Sequence, residues 1–285
     1  MAHAYVGTSG WNYRDWRGSF FPDELPVKRW LPFYATRFDS VEINYTFYRL
    51  PSKEACAAWY EQTPSEFRFS VKLSRYITHI KRLRDARRPW EDFLERVAAL
   101  KEKLGPILLQ FPANFRASEA NLESVGEFLE YASRDRSRRL ALEFRDRSCF
   151  DSNMIRLLRR HRAALVISHS SRYPLPEVGR TADFMYFRFH GPHEMFSSSY
   201  SGAELRHWAN TINAFLGRRR DVYAYFNNDA AAHAPRNAES LLQQLQFRRS
   251  VPLSRRRFCC NRHSVSICSS SEQHNDDPSH GRGAL

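Results

Sequence analysis

Short segments in which apolar and polar residues alternate recur along the chain, and longer segments with helical spacing separate most of them. The alternating segments are rich in β-branched and aromatic residues, as strands are. The predicted strands are residues 5–8, 40–48, 67–73, 107–111, 140–145, 164–168, 184–190 and 221–227. Apolar residues three or four positions apart predict the helices. The predicted helices are residues 27–37, 52–60, 90–104, 118–132, 152–161, 202–216 and 235–245.

Three local signals bear on the helix boundaries. Ser52 can cap the helix that follows it, because its side-chain oxygen can accept a hydrogen bond from a free N–H group of the first turn. Gly105-Pro106 is expected to end the helix at 90–104. Pro32 weakens the prediction of a helix at 27–37, since proline lacks the N–H that a helix interior needs.

Strands that alternate with helices usually pair in parallel. Eight such units within residues 1–246 fit an α/β fold of the (β/α)8 or TIM-barrel type, which is usually about 250 residues long. The alternative is an open, doubly wound sheet, but no G-x-G-x-x-G turn supports it. Residues 247–285 are rich in Ser, Arg, Asn and His without a sustained period, and they are predicted to be a disordered basic tail.

Most of the predicted strands have one apolar face and one face that carries polar side chains near the C-terminal end. In the segment YFRFHGP at 186–192, for example, Arg188 and His190 oppose Phe187 and Phe189. The apolar face of a barrel strand meets the helices, so the polar face should point into the barrel. Because barrel enzymes place their sites at this rim, the pattern predicts a ligand site there.

The inward residue types indicate a set of candidate roles. Glu42 and Glu143 are the predicted acid and base, since two carboxylates can divide these roles when their environments differ. Lys72 could form a Schiff base if it is desolvated, or act as a counter-ion, and His190 could shuttle a proton or be structural. Arg145 and Arg188 suit a carboxylate or phosphate clamp. The predicted substrate-binding residues are Trp11, Asn44, His79, Gln110, Arg145, Arg188, Asn227 and Asn228.

A second interpretation of the inward charges is a purely structural network, in which Glu42, Glu143, Lys72, Arg145 and Arg188 pair with one another. A buried ionic network is costly and is often no more stable than apolar packing. We therefore favour a ligand site.

The net charge of +13 raises the question of nucleic-acid binding. Residues 247–285 hold seven arginines against three carboxylates, which leaves +9 of the +13 to residues 1–246. The loop at 74–89, after the third strand, has Arg75, Lys81, Arg82, Arg84, Arg87 and Arg88 against Asp85. A nucleic-acid strand could bind there, although most such runs are only solvated surface.

Several classes of protein and site are disfavoured. No segment approaches the roughly 20 apolar residues of a membrane helix, and no secretory signal is evident. A cytoplasmic protein without a membrane partner is expected. Five cysteines at irregular spacing do not suggest a disulfide framework. No cofactor is expected, and no metal either, because the inward lysine and arginines would repel a divalent cation.

Seven motifs, in order, resemble those of the YecE-like family over about residues 4–246. They are GTSGW at 7–11, VEINYTFYRLP at 41–51, KLSRYITH at 72–79, LLQFP at 108–112, LEFRDRS at 142–148, YFRFHG at 186–191 and YAYFNND at 223–229 with APRNA at 234–238. The resemblance implies a TIM-type barrel, related in shape to xylose-isomerase-like and apurinic-endonuclease-like barrels. The family's biochemical activity is not established.

The sequence thus predicts a barrel that binds or transforms an anionic small molecule, phosphorylated or nucleotide-like, at its C-terminal mouth. The alternative function is nucleic-acid binding or processing through the basic loop at 74–89. At this stage, both the question of catalysis and the oligomeric state stay open.

Overall fold

The strands of the computed structural model, which describes residues 2–176 and 180–245, form two all-parallel sheets that together make a barrel. They are β1 (Ala4–Thr8), β2 (Ser40–Ile43), β3 (Arg68–Lys72), β4 (Leu104–Gln110), β5 (Leu140–Glu143), β6 (Ala164–Leu165), β7 (Ile167–His169), β8 (Met185–Phe189) and β9 (Val222–Phe226). One sheet has the order β1-β9-β8-β7 and the other β2-β3-β4-β5-β6. The predicted TIM-barrel fold is confirmed.

Two features join the sheets. A bridge between Ser9 and Glu42 connects the edge next to β1 with β2. At the other edge, β6 and β7 are two halves of the sixth predicted strand, interrupted at Val166, whose N–H donates to the carbonyl oxygen of Leu142 at 2.9 Å. The predicted tail at 247–285 lies outside the described residues.

Helices follow most strands, as the periodicity predicts. They are α1 (Trp30–Arg37), α2 (Tyr45–Tyr48), α3 (Lys53–Glu61), α4 (Arg87–Val97), α5 (Glu119–Ala132), α6 (Ser152–Arg160), α7 (Gly202–Gly217) and α8 (His233–Gln244). Ser52 caps α3 as predicted, because its side chain accepts from the Ala55 N–H. Pro32 is tolerated in α1 because it lies in the first turn, where N–H groups have no partner within the helix.

Two predicted boundaries are wrong. The second strand does not run from 40 to 48 but ends at Ile43, and Asn44 turns into the short helix α2 with φ −83° and ψ −23°. Tyr45, assigned by parity to the face of Val41, is therefore exposed. The aromatic and β-branched residues of this segment predicted a strand, but in the structure they form a short helix at the rim of the barrel.

Gly105-Pro106 does not end a helix. Helix α4 ends at Val97, a six-residue 3₁₀ segment follows at Ala98–Lys103, and both Gly105 and Pro106 lie in β4. A Cβ on Gly105 would lie 3.1 Å from the carbonyl oxygen of Phe69 on the neighbouring strand. The glycine thus permits a close approach of two strands, and the proline is accommodated near the start of β4.

The strand faces separate two hydrophobic clusters, as the parity analysis predicted. The outer cluster lies between strands and helices and includes Val41, Leu142 and Phe187. The inner cluster fills the barrel and comprises Tyr5, Leu108, Ala141, Ala164, Val166, Ala182, Phe184, Tyr186, Tyr223 and Tyr225. A floor of aromatic rings therefore supports the polar residues at the C-terminal ends.

Two further observations concern the cysteines and the length of the helices. Cys56 and Cys149 are free and buried, and the other three cysteines lie outside the described residues. No helix in 2–176 or 180–245 is long and apolar enough to cross a membrane.

Candidate functional site

An arginine held between two glutamates lies above the aromatic floor. Arg188 Nη2 donates to Glu42 Oε1 at 2.8 Å, and Arg188 Nε donates to the same carboxylate at 3.0 and 3.1 Å. Arg188 Nη1 donates to Glu143 Oε2 at 2.6 Å. All three residues are buried, with an exposed fraction of 1% for Arg188 and 0% for each glutamate. We refer to Glu42, Arg188 and Glu143 as the buried triad.

Neighbouring hydroxyl groups complete the coordination of Glu42. Ser9 Oγ donates to Oε1 and Tyr186 Oη to Oε2, each at 2.7 Å. Burial alone would raise the pKa of Glu143, but Arg188, His190 and Arg145 more than offset it and hold that pKa well below its usual range. The buried triad is therefore a paired ionic cluster, in which Glu143 stays ionised at neutral pH.

This geometry bears on two predictions. Glu42 and Glu143, the predicted acid and base, are both fully buried, and neither lines the cavity described below. Arg188 is not a free clamp, since its Nε, Nη1 and Nη2 all donate to the two glutamates. The structural network considered from sequence thus accounts for these three residues, but not for the polar side chains above them.

A cavity of about 550 Å³ opens above the buried triad. Its lining combines the ends of five strands with the loops that follow them. The lining residues are Tyr13, Asn44, Phe47, Tyr48, Lys72, Arg75, His79, Gln110, Arg145, Arg188, Phe196, Asn227 and Asp229. Seven of the predicted site residues are among them: Asn44, Lys72, His79, Gln110, Arg145, Arg188 and Asn227.

Lys72 is the last residue of β3, and its side chain is 8% exposed. Its Nζ lies 4.0 Å from the centroid of the Phe47 ring, and no described residue hydrogen-bonds to it or pairs with it. Burial is the main cause that lowers the pKa of Lys72 to about 7, with Arg188 and Arg145 acting in the same direction against the two glutamates. A neutral amine is thus accessible at this position.

Arg145 and the amide side chain of Asn44 line the same cavity as Lys72. Arg145 Nε is buried without a hydrogen-bond partner in the described residues, although it lies 3.6 Å from Glu143 Oε1. The guanidinium stacks on the ring of Tyr173, 4.5 Å from its centroid. Asn44 Oδ1 is likewise buried and unpartnered among the described residues. Both residues line the cavity, so these unsatisfied groups lie within its wall.

The two predicted histidines are held in the neutral form. Burial lowers the pKa of His190 to about 4, and Arg188 adds to the effect. Asn227 Nδ2 lies 3.0 Å from His190 Nδ1, and His190 Nε2 lies 3.5 Å from Glu143 Oε1 and 3.4 Å from Arg188 Nη1. Burial and then Lys72 lower the pKa of His79 to about 4. Neither ring is poised to exchange a proton near pH 7.

Asp229 is a carboxylate that the sequence analysis overlooked. Its Oδ1 is buried and has no hydrogen-bond partner in the described part of the chain. Burial raises the pKa of Asp229 to about 7, and Glu42 adds to this against the opposing effects of Tyr13 and Arg188. The Trp16 Nε1 group donates to the Asp229 carbonyl oxygen at 2.9 Å and fixes the backbone. A carboxyl group that titrates near neutral pH is a frequent mark of a functional site.

Two predicted binding residues lie elsewhere. Trp11 packs edge-on against Trp59 of α3, with ring centroids 5.7 Å apart, because the chain turns at Gly10 with φ +102°. Asn228 is fully buried, and its Nδ2 donates to the Ser198 carbonyl oxygen and to Asn237 Oδ1, both at 2.9 Å. Both therefore support loops and do not line the cavity.

The rim also holds residues that strand parity could not identify. Tyr13, Phe47, Tyr48, Phe196 and Asp229 all line the cavity from segments after the strands. Asp229 had a readable signal, since it lies three residues beyond the end of β9 on the functional face of a barrel. The aromatic residues had none, because their orientation depends on how each loop folds back over the rim.

The basic side chains of the loop at 74–89 contact different parts of the structure. Arg82 donates to Asn114 Oδ1, Arg87 stacks on Tyr131, and Arg88 pairs with Asp92 in α4. Arg75 alone of the loop's arginines lines the cavity, and Lys81 lies over the Tyr76 ring. Within 2–176 and 180–245, no group of three His, Cys, Asp or Glu side chains is arranged to hold a metal ion.

Comparisons with known sequences agree with the motifs. The model of a family described as "Protein of unknown function DUF72" matches residues 5–257. UPF0759 protein YunF of Bacillus subtilis is 25% identical over 276 residues, covering 85% of this chain and 95% of that protein. UPF0759 protein YecE of Escherichia coli is 34% identical over 126 residues, which are 44% of this chain and 43% of that protein.

Solved structures share the fold. A DUF72 family protein from Thermotoga maritima superposes with a TM-score of 0.74 at 30% identity, covering 85% of this chain and 98% of that one. A DUF72 family protein from Enterococcus faecalis gives a TM-score of 0.74 at 22% identity, with coverage of 86% and 96%.

Proposed function

The chain belongs to the DUF72 family, as its resemblance to YecE-like proteins predicted, and we propose that it binds a small anionic ligand in the cavity at the C-terminal mouth of its barrel. The ligand is a phosphorylated or carboxylated small molecule with a face that can pack on aromatic rings. The observation that carries this proposal is the surplus of positive charge on the cavity wall.

The charges around the cavity are not balanced by the protein itself. Four cationic side chains line it: Lys72, Arg75, Arg145 and Arg188. Arg188 pairs with the two glutamates beneath it and Arg145 lies 3.6 Å from one of them, whereas Lys72 and Arg75 have no ion pair within the described residues, and Asp229 is the single carboxylate among the described lining residues. An anion would give Lys72 and Arg75 a counter-ion. Hydrogen bonds to charged groups of this kind contribute about 1.5–3 kcal/mol each.

The size and the remaining walls suit a small molecule. A volume of about 550 Å³ lies within the range of ligand pockets. Tyr13, Phe47, Tyr48 and Phe196 supply aromatic surface, and Asn44, Gln110 and Asn227 supply amide groups for hydrogen bonds. Aromatic faces with a few polar groups bind sugar rings and nucleobases alike, so phosphosugars and nucleotides both fit this description.

Nucleic-acid binding by the loop at 74–89 has weaker support. Three of its five arginines already contact Asn114, Tyr131 and Asp92. The exposed Tyr76 beside Lys81 is the feature that favours it, because a base could stack there. Binding through such a surface would weaken steeply as salt rises.

Thermal-shift measurements on the full chain test the proposal. The probes are inorganic phosphate, phosphosugars, nucleoside monophosphates, small dicarboxylates, their neutral counterparts, and short DNA and RNA at low and moderate salt. The Arg145→Met variant removes a cation from the cavity, and Lys28→Met removes one from an exposed site as the matched control. We expect an anion to raise the melting temperature and to bind about tenfold more weakly to Arg145→Met than to Lys28→Met.

Other outcomes would reject the proposal. Anions that bind both variants equally, or that do not bind at all, would show that the cavity charge does not serve a ligand. A shift with DNA or RNA alone, which disappears at moderate salt and is unaffected by Arg145→Met, would move the function to the loop at 74–89.

A further inference from the structure

The chain has six lysines, and the two that are buried in the described structure have opposite environments. Lys103 Nζ donates to the carbonyl oxygens of Tyr60 and Thr63 at 2.5 and 2.7 Å. This ammonium is satisfied by the backbone and is remote from the cavity. Lys72 Nζ has no hydrogen-bonding or ion-pair partner among the described residues, and the side chain lines the cavity instead. Its Nζ lies 4.0 Å from the centroid of the Phe47 ring, and no hydrogen bond or ion pair within the described residues accounts for its burial.

We propose that Lys72 is a nucleophilic amine that forms an imine with a carbonyl group of the anionic ligand. This inference rests on the proposed function, because the anionic group binds next to Arg145 and so brings the carbonyl carbon to Lys72. A flexible side chain at the end of β3, directed into a cavity from the barrel wall, can approach such a carbon without backbone movement.

The surroundings of Lys72 keep a large part of the amine neutral. Burial is the first cause of its pKa of about 7, and the Arg188 guanidinium is the second. Glu143 and Glu42 act the other way, but both are committed to Arg188. At pH 7 a substantial part of this amine is therefore unprotonated, whereas an exposed lysine with a pKa near 10.4 is almost wholly protonated. The unprotonated form is the nucleophile.

The reaction balances without an added oxidant or reductant. The Nζ lone pair forms a bond to the carbonyl carbon, and the electrons of the C=O double bond move to oxygen. A proton moves from nitrogen to that oxygen to give a carbinolamine. The hydroxyl group then leaves as water after it takes up a second proton, the nitrogen loses its remaining proton, and a C=N bond forms.

Asp229 is the group placed to supply and recover the second proton. It lines the same cavity, its Oδ1 has no partner in the described residues, and its pKa is raised to about 7 by burial. A carboxyl group with a pKa near neutral pH can donate to the departing hydroxyl and accept the proton that nitrogen loses. The two histidines do not fill this role, because each has its pKa lowered to about 4.

The substrate class follows from these two features. It combines an anionic group with an aldehyde or ketone a short distance away, as 2-oxo acids and phosphorylated aldehydes or ketones do. The probes distinguish the two anionic groups: glyoxylate carries a carboxylate, glycolaldehyde phosphate carries a phosphate, and acetaldehyde carries no charge.

Reductive trapping tests the inference on the full chain at pH 7. Each probe is incubated with the protein and cyanoborohydride, which converts an imine to a stable secondary amine, and peptide mapping by mass spectrometry locates the adduct. We expect an anionic probe to label Lys72 more than about tenfold faster than any other lysine. Excess inorganic phosphate should slow this labelling. Lys72→Arg cannot form the imine, so this variant should lose the adduct.

The outcomes separate this inference from the proposed function. Labelling spread over exposed lysines such as Lys28 and Lys101, or unaffected by phosphate, overturns the inference. A thermal shift with anions but no adduct at Lys72 overturns it too, and leaves the proposed function standing. If neither a thermal shift nor an adduct is observed, both the inference and the proposed function are overturned. Because peptide mapping of the wild-type chain locates the adduct, the conclusion does not depend on whether a variant folds.

Discussion

Arg188 donates through Nη1 to Oε2 of Glu143 at 2.6 Å, and neither side chain is more than 1% exposed. An arginine in a barrel mouth suggests a clamp for a ligand anion, but this one is already bound to carboxylates of the protein. The site therefore has two levels. The buried triad forms the base, and two further cations, Lys72 and Arg145, line the cavity above it.

Substitution of Arg188 should reduce stability more than it reduces binding. Arg188→Met would leave Glu42 and Glu143 buried without their counter-ion, and breaking such a pair reduces the free energy of unfolding by about 3–5 kcal/mol. Arg37→Met is the control, since the Arg37–Glu239 pair is largely exposed and should contribute no more than about 1 kcal/mol. Chemical denaturation measures both. A loss below about 1 kcal/mol for Arg188→Met would contradict the role of the buried triad.

The amine of Lys72 should titrate far below those of the exposed lysines. Competitive acetylation at a series of pH values, read by peptide mapping, should give a midpoint near 7 for Lys72, since burial and Arg188 disfavour its charged form. Lys28 and Lys101 serve as exposed internal controls. A Lys72 midpoint near the ordinary value of 10.5 would show that its amine is solvated or paired.

A bound anion should reverse part of this shift. Phosphate next to Lys72 favours the ammonium form, because opposite charges at short range stabilise each other. The acetylation midpoint of Lys72 should therefore rise when phosphate saturates the cavity, while the exposed lysines stay unchanged. If phosphate binds and the midpoint stays constant, the anion lies away from Lys72.

Asp229 should make the protein less stable as the pH rises. Its pKa is about 7 in the folded state against 3.8 for an ordinary aspartate, so the folded state holds the proton more tightly. Between these two values the wild-type chain loses stability with rising pH, and Asp229→Asn should remove that loss. We expect the variant to be more stable by on the order of 4 kcal/mol above pH 7 and to show no such gain below pH 3.8.

Urea denaturation across this pH range provides the measurement. Asp15→Asn is the control, because this exposed carboxylate in the nearby 3₁₀ turn should change stability little at any pH. If the difference between Asp229→Asn and the wild type does not depend on pH, the Asp229 carboxylate is not desolvated in the folded protein.

The turn after Asp229 has a strained backbone. Ala231 and Ala232 have φ angles of 50° and 56°, in the left-handed region that favours glycine. Ala231 is exposed, so Ala231→Gly relieves strain without loss of packing and should raise the free energy of unfolding by about 1 kcal/mol. Ala230→Gly, in the same turn but outside the left-handed region, should lower it by about 0.5–1 kcal/mol. Equal effects of the two substitutions would show that the turn is not strained.

The strand pattern was informative because it is local. The alternation in YFRFHGP assigns Arg188 and His190 to the inner face whatever the rest of the barrel does, and both lie inside. The same reasoning failed at Tyr45, where the strand had already ended at Ile43. It also missed Asp229, which belongs to a turn and has no strand period.

The sequence by itself determined the barrel, the faces of its strands and the polar side chains at their C-terminal ends. These properties depend on periods of two and 3.6 residues, which are visible within a few positions. Only the tertiary structure decided which charges pair. Glu42 and Arg188 are 146 positions apart, and they meet because their strands face the same interior. Whether a cation is paired or unsatisfied depends on distances of a few ångströms between distant segments, and this separates Arg188 from Lys72.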